Sequence, residues 1–86
     1  MEIEILKEEK NELEMTIDNT TIVEVLRAYL HKDEAVAFAA WKKESSNKPA
    51  LLRVGTKGKS AKKAVEDAVE LIMKEADKLV ADVKKL

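Results

Sequence analysis

A short glycine-lysine-serine segment, Gly58-Lys59-Ser60, is the part of the chain most suggestive of chemistry. Phosphate-binding loops end in this way, because backbone N–H groups and a lysine surround the phosphate. That motif needs a glycine five residues before Gly58, where this chain has Arg53, and its Gly55 lies only three before. The chain is also too short for the parallel sheet around such a loop. The segment therefore predicts a turn followed by a helix that Ser60 caps.

The same turn contains a second pattern, because Gly55 and Gly58 have the G-x-x-G spacing with which KH domains hold a nucleic-acid backbone. In KH domains that loop joins two helices, whereas here it should join a strand to a helix. Residues 42–63 hold eight basic residues and one acidic residue, a charge of +7 that favours phosphate contact. One hypothesis is therefore a small nucleic-acid-binding module, and the competing interpretation is a solvated basic edge. The basic patch of that module would comprise Lys57, Lys59, Lys62 and Lys63.

Residue types suited to catalysis or metal binding are scarce. There is no cysteine, and the one histidine, His31, falls at the predicted end of a helix, where we interpret it as solvated. Nucleophilic catalysis needs a serine or cysteine beside a positioned base. Glu24 follows Thr21 by three residues, which is the spacing of a helix capping box rather than of a catalytic base. We predict no catalytic, cofactor-binding or metal-binding residues, and no enzymatic activity by this chain alone.

Four stretches have the hydrophobic patterns of β-strands. Ile3 and Ile5 alternate with acidic residues, and residues 13–17 repeat the alternation, so the first 18 residues predict a β-hairpin. The run from Ala35 to Trp41 is short and apolar, which predicts a strand buried on both faces. Residues 50–56 predict a fourth strand, with apolar side chains on one face at positions 52 and 54.

The first predicted helix runs from Thr21 to Leu30. Its apolar stripe contains Ile22, Val25, Leu26, Tyr29 and Leu30, and Val23, which lies off that stripe, indicates a second apolar side. A longer helix follows the fourth strand. The order ββαββα predicts an α+β fold with a four-stranded sheet and both helices on one face of it.

The closing helix, from Ser60 to Leu86, is longer than the sheet can cover. Its 27 residues would make a rod of roughly 40 Å, whereas the strands span only about 17–20 Å each. Its apolar stripe continues to the end of the chain, so we expect a partner surface there. The alternative is a helix that crosses the sheet at a slant and has a frayed end.

Length and composition indicate one small domain, residues 1–86, with a net charge of −1. The balanced charge excludes a strongly basic nucleic-acid binder, although residues 1–18 carry −5. The apolar runs are too short for a membrane span and the start of the chain is acidic, unlike a signal peptide. We expect a cytoplasmic protein without a membrane contact.

Several segments resemble the small α-like subunit family of cellular RNA polymerases, in particular archaeal subunit L. The opening Met1-Glu2-Ile3-Glu4-Ile5-Leu6-Lys7 and the later Asn11-Glu12-Leu13-Glu14 are similar to the first hairpin of that family. The strand Val36-Ala37-Phe38-Ala39-Ala40-Trp41 is similar to its V-x-F-A-x-Y strand, and 53–58 to its strand-to-helix turn. The first helix fits through Asp18, Thr21, Ile22, Val25, Leu26 and Arg27, whereas Thr20, Glu24 and Ser45-Ser46 replace the usual histidine, asparagine and His-Pro.

The resemblance implies a non-catalytic subunit that pairs through its two helices with a larger α-like subunit, called D in archaea. The heterodimer would be the platform on which the large catalytic subunits assemble, and any contact with DNA or RNA would be indirect. The isolated chain is expected to form a homodimer or to be marginally stable, because its apolar stripe lacks cover. The expected partner interface comprises Ile22, Val23, Leu26, Ile72, Leu79, Val80, Val83 and Leu86.

Overall fold

The computed structural model describes residues 2–86, so Met1 of the opening motif lies outside the described residues. Four antiparallel strands form one sheet in the order β1-β2-β4-β3, and two helices complete the predicted ββαββα order. The predicted α+β fold is confirmed. The elements are β1 Ile3–Glu8, β2 Glu12–Ile17, α1 Thr20–Leu30, β3 Val36–Lys42, β4 Ala50–Thr56 and α2 Ala61–Lys84.

The core lies between the helices and the two central strands. Along β2, alternate side chains are buried, as the sequence pattern predicted, because successive residues of a strand point to opposite faces. The buried set of β2 pairs directly with a buried set of β4. Alanines on α2 let that helix approach closely. The paired residues are Leu13 with Val54, Met15 with Leu52 and Ile17 with Ala50.

Helix α1 begins one residue earlier than predicted, and its cap is different. Asn19 is the N-cap, and its side-chain oxygen accepts a hydrogen bond from the Ile22 backbone N–H at 3.1 Å. The predicted capping box of Thr21 and Glu24 is therefore wrong. Glu24 instead accepts a hydrogen bond from the Trp41 indole, because α1 packs beside β3.

Helix α1 has two apolar sides as predicted, but the predicted stripe is divided between them. Val23, Leu26 and Leu30 face the core and are buried. Ile22 and Val25, which the prediction placed on the main stripe, are exposed. Helix α1 ends at His31 as predicted, and the ring Nε2 of His31 lies 3.0 Å from the Ala39 carbonyl oxygen, so the ring contacts β3 rather than water alone.

Strand β3 is not buried on both faces, contrary to the prediction. It forms an edge of the sheet and pairs only with β4. Ala39 is buried and Trp41 packs against the core, whereas Phe38 is exposed on the opposite face. An edge strand has one open side, and the helices cover only one of its faces. Phe38 and Trp41 therefore lie on opposite faces of β3.

The turn between β1 and β2 fixes the start of α2. The Ala61 N–H donates to the Lys10 carbonyl at 2.7 Å, and the Asn11 amide donates to the Thr56 hydroxyl at 3.2 Å. Ser60 caps α2 as predicted, accepting from the Lys63 N–H at 3.1 Å. These bonds hold the first turn of α2 against the sheet and thereby set the direction of the whole helix.

Candidate interaction surface

The second half of α2 extends beyond its own sheet. No residue after Ile72 is buried or half-buried, and Leu79, Val80 and Val83 are 64%, 53% and 56% exposed. We call residues 73–86 the overhang. The predicted continuation of the apolar stripe past the sheet is thus present, with Met73 and Leu86 as further exposed apolar side chains.

Length explains the overhang. Helix α2 has 24 residues, about 36 Å at 1.5 Å per residue, whereas the longest strands have seven residues, about 23 Å at 3.3 Å per residue. Glu75 accepts a hydrogen bond from the Tyr29 hydroxyl of α1 and lies 3.8 Å from the ammonium of Lys32, in the turn after α1. Beyond Glu75, every residue of α2 is exposed within the described part of the chain.

Two further apolar areas lie on the helix side of the molecule. Ile22 and Val25 are exposed on the outer side of α1. Ile3 and Ile5 pair with the buried Ile17 and Met15, so they point to the helix face of the sheet, yet both are about half exposed. The helices sit over β2, β3 and β4 and leave β1 bare. Together with the overhang, these residues give one side of the protein an unusual amount of uncovered apolar surface.

The structure divides the residues that we assigned to a partner interface. Leu79, Val80, Val83 and Leu86 lie on the overhang, and Ile22 is exposed on α1. Ile72 is half-buried at the edge of the core. Val23 and Leu26 are only 0% and 5% exposed, because they face the sheet, so they leave no surface for a partner. The interface itself stays a prediction.

Four apolar residues of this side were missed: Ile3, Ile5, Val25 and Met73. Helical spacing could have found two of them, because Val25 lies three residues after Ile22 and Met73 lies seven before Val80. The alternating pattern of Ile3 and Ile5 predicted only a strand with both side chains on one face. Only the position of the helices shows that this face is bare.

The four lysines of the predicted basic patch do not act as one free group. The Lys59 ammonium bonds to both Asp33 and Asp67, which raise its pKa, and Lys63 lies 3.1 Å from the same Asp67 carboxylate. These bonds join the α1–β3 turn, the β4–α2 turn and the first turns of α2. Lys57 and Lys62 form no ion pair within residues 2–86, and Lys63 stays exposed to solvent despite its pair. Two of the four lysines, Lys59 and Lys63, are therefore engaged in ion pairs within the fold. This weakens the hypothesis that the patch binds nucleic acid.

Comparison with known proteins identifies the family. The model of the RNA polymerase Rpb3/Rpb11 dimerisation domain matches residues 10–81. The chain belongs to this family. The matched residues begin after β1 and end within the last turn of α2, so they include most of the overhang.

Two archaeal relatives agree with the family assignment. DNA-directed RNA polymerase subunit Rpo11 of Sulfurisphaera tokodaii is 34% identical over 90 residues, covering all of this chain and 97% of the relative. Rpo11 of Sulfolobus acidocaldarius is 37% identical over 93 residues, with complete coverage of both. The crystal structure of subunit L from Thermoplasma acidophilum has the same fold, with a TM-score of 0.87, 22% identity and coverage of 98% of this chain and 86% of that one.

These findings make the chain an Rpo11/L-type assembly subunit of a DNA-directed RNA polymerase that heterodimerises with a larger α-like subunit. The function predicted from the sequence is confirmed. Its role in the nucleotidyltransferase complex is non-catalytic. Within residues 2–86 no helix is both long and apolar enough to cross a membrane.

In this Rpb3/Rpb11-type domain, the glycines of the G-x-x-G pattern have conformational roles. Gly58 has φ of +82°, a left-handed conformation that glycine adopts without strain. Gly55 lies beneath the Phe38 ring, where an added Cβ would come within 2.1 Å of the ring carbon Cε1. The turn and the packing of β3 on β4 therefore account for both residues.

Glu24 ties α1 to β3. Its carboxylate accepts hydrogen bonds from the Arg27 guanidinium and, at 2.6 Å, from the Trp41 indole N–H. The bond from Arg27 first, and then that from Trp41, lower the pKa of Glu24 to about 2. The carboxylate is thus held ionised and oriented by Arg27 and Trp41.

Proposed function

We propose that this chain takes the position of subunit L in an archaeal RNA polymerase and that the larger α-like subunit covers the overhang. The observation that carries the proposal is the uncovered apolar half of α2, which begins where contact with α1 ends. A helix of this kind gains stability when a partner removes its apolar side chains from water, at about 25 cal/mol per Å². The sequence and comparisons support a partner that is itself an α-like subunit.

The proposed interface extends from the overhang to the neighbouring apolar areas. Ile22 and Val25 on α1, and Ile3 and Ile5 on β1, belong to the same side of the molecule and would form its outer part. Residues 1–86 would act as a single dimerisation domain without active-site residues. The resulting heterodimer would carry the large polymerase subunits, and any DNA or RNA contact would be made through those subunits.

The direct test is a charge substitution at the centre of the overhang. Val83→Lys, assayed by titration against the purified larger α-like subunit, should weaken the complex by about 30-fold or more, because a lysine would be buried among apolar side chains. Val83 is more than half exposed in the free chain, so circular dichroism and thermal unfolding should not change.

Ala81→Lys is the matched control. Ala81 is exposed on the same two turns of α2 but lies away from the apolar stripe, so this variant should bind as the native chain does. If Val83→Lys binds with native affinity while remaining helical, the overhang is not the partner surface.

A further inference from the structure

Helix α2 loses its support from the rest of the protein within one turn. Ile72 is its last residue that packs against the core, and every later residue is exposed. Among the hydrogen bonds and ion pairs of residues 2–86, those of Glu75 alone join the overhang to another part of the chain. The direction in which the overhang leaves the protein therefore depends on the contacts of Glu75.

Glu75 is held by Tyr29, in the last turn of α1, and by Lys32, in the turn that follows. One oxygen of its carboxylate accepts a hydrogen bond from the Tyr29 hydroxyl, and the other lies 3.8 Å from the Lys32 ammonium. The same ammonium lies 4.2 Å from the centre of the Tyr29 ring, within the range of a cation–π contact. We call these three residues the clamp. Each of them is oriented by both of the others.

Apolar packing between α1 and α2 is incomplete beside the clamp. An open groove of about 150 Å³ lies between the two helices, and an apolar cavity of about 150 Å³ holds a group the size of benzene. Polar bonds join the chain on either side of this gap: Lys59 with Asp33 and Asp67 towards the start of α2, and the clamp towards the overhang. The apolar residues that line the groove are Ala64, Ala68 and Leu71.

The position of the clamp at the base of the overhang gives it leverage. Val83 lies eight residues beyond Glu75, which is about 12 Å along the helix axis. A tilt of about 15° at Glu75 would therefore move Val83 by about 3 Å. The side chains of a binding site have to be held to within about 0.5 Å of their productive positions. A small change of direction at Glu75 would thus displace the apolar stripe from the place where a partner meets it.

We propose that the clamp sets the direction of the overhang and so presents its apolar stripe to the larger α-like subunit in the geometry of the complex. Tyr29 and Glu75 are then positioning residues, which act on the partner through the helix. The proposal rests on the proposed function, because it concerns the same overhang. Affinity falls in proportion to the fraction of free molecules that hold the binding geometry, so a surface that is already in place binds more tightly.

Removal of a single hydroxyl tests the proposal, because Tyr29→Phe keeps the ring and loses only the bond to Glu75. In titrations of the full chain against the purified larger subunit, Tyr29→Phe should bind about fivefold more weakly than the native chain. Glu75→Ala should show at least this loss. The double variant should be no weaker than Glu75→Ala alone, because both changes remove the same contact.

Glu70→Ala is the matched control for these titrations. Glu70 is an exposed acid on the same helix and has no ion pair within residues 2–86. This variant should bind as the native chain does, because it leaves the clamp intact.

The direction of the overhang is measured in the free chain by energy transfer. The chain has one tryptophan, Trp41, and no cysteine, so Ala81→Cys provides a single site for an acceptor dye. Ala81 is exposed and lies away from the apolar stripe. Adding Tyr29→Phe to the labelled chain should broaden the distribution of distances between Trp41 and the dye. Adding Glu70→Ala should leave that distribution unchanged.

The bond between Tyr29 and Glu75 also has a spectroscopic signature. The hydrogen bond to Glu75, followed by burial, raises the pKa of the Tyr29 hydroxyl. Tyr29 is the only tyrosine, so an ultraviolet absorbance titration follows this hydroxyl alone. Glu75→Ala should lower the pKa of Tyr29 towards its ordinary value, and Glu70→Ala should not change it.

Native affinity of Tyr29→Phe for the larger subunit would overturn the proposal, even if Glu75→Ala bound weakly, because Glu75 would then act on the partner directly. An unchanged distance distribution in the labelled Tyr29→Phe chain, or an unchanged pKa of Tyr29 in Glu75→Ala, would also overturn it. If the native chain fails to bind the larger subunit, the proposed function is wrong. The energy-transfer measurement still decides in that case whether the clamp directs the overhang.

Discussion

At the scale of single residues, the helix side of the protein is held together by a few polar bonds between elements. Glu24 links α1 to β3 through Trp41, and Lys59 links two turns to α2 through Asp33 and Asp67. All of these side chains are still partly exposed, so each pair contributes modestly. Their main consequence is positional, because they fix where α1 lies relative to β3 and where α2 begins.

The Glu24 bonds predict a specific loss of stability in acid. Because the pKa of Glu24 falls from 4.5 to about 2 on folding, its ionised form stabilises the protein above pH 4.5, and this contribution is lost as the pH falls towards 2. Glu24→Gln should remove that part of the pH dependence. The melting temperature between pH 6 and 2, followed by the fluorescence of Trp41, the only tryptophan, measures it.

Part of the acid sensitivity should remain in Glu24→Gln, because the pKa values of Asp33 and Asp67 are also lowered, chiefly by the hydrogen bond from Lys59. Glu44→Gln, in the exposed loop between β3 and β4, is the control and should follow the native curve. Identical acid curves for Glu24→Gln and the native protein would show that the bonds to Arg27 and Trp41 do not stabilise the fold.

At the scale of elements, the local sequence pattern predicted the features that depend on adjacent residues. It did not predict those that depend on contacts between residues far apart in the chain. The Ser60 cap and the alternation of β2 depend on nearby residues only, and both were predicted. Thr21 and Asn19 are both good caps by type. The structure uses Asn19, and Glu24 bonds instead to Trp41, 17 residues away along the chain.

Strand order is the other property that local pattern does not contain. The run 35–41 was predicted to be buried on both faces, yet β3 lies at one edge of the sheet, as β1 does at the other. Helix length alone located the overhang correctly. The sequence could not show, however, that Val23 faces inward and Val25 outward. Those sides depend on the angle at which α1 meets the sheet.

The capping correction predicts unequal effects of two similar substitutions. Asn19→Ala should lower the free energy of unfolding by about 1 kcal/mol, because the Ile22 N–H loses its acceptor. Thr21→Ala should change it by less than about 0.5 kcal/mol, as for an exposed residue without such a role. Urea denaturation of both variants distinguishes the caps. The reverse order of effects would restore the Thr21 capping box.

At the scale of the whole molecule, the overhang separates stability from assembly. A chain that ends at Lys78 lacks Leu79, Val80, Val83 and Leu86 but keeps the core. Its free energy of unfolding should therefore stay within about 0.5 kcal/mol of the full chain, since none of these side chains is buried. Its binding to the larger α-like subunit, measured by titration, should be lost.

Urea denaturation of the shortened chain provides the check on its fold. A loss of more than about 1 kcal/mol would mean that the overhang packs on its own core in solution, contrary to the exposure of Leu79 and Val83. Retained binding would instead move the interface to Ile22, Val25 and the bare face of β1.

The overhang also sets how long an unassembled copy can survive. After Glu75 its side chains are all exposed, and a short helix without tertiary cover opens readily in water. Proteases cleave segments that open locally, at a rate that follows the population of the open form. A subunit made in excess of its partner would thus be degraded from this end, while an assembled copy would be protected. Degradation of unassembled copies through the overhang would in this way keep the amount of the subunit close to the amount that is assembled into polymerase.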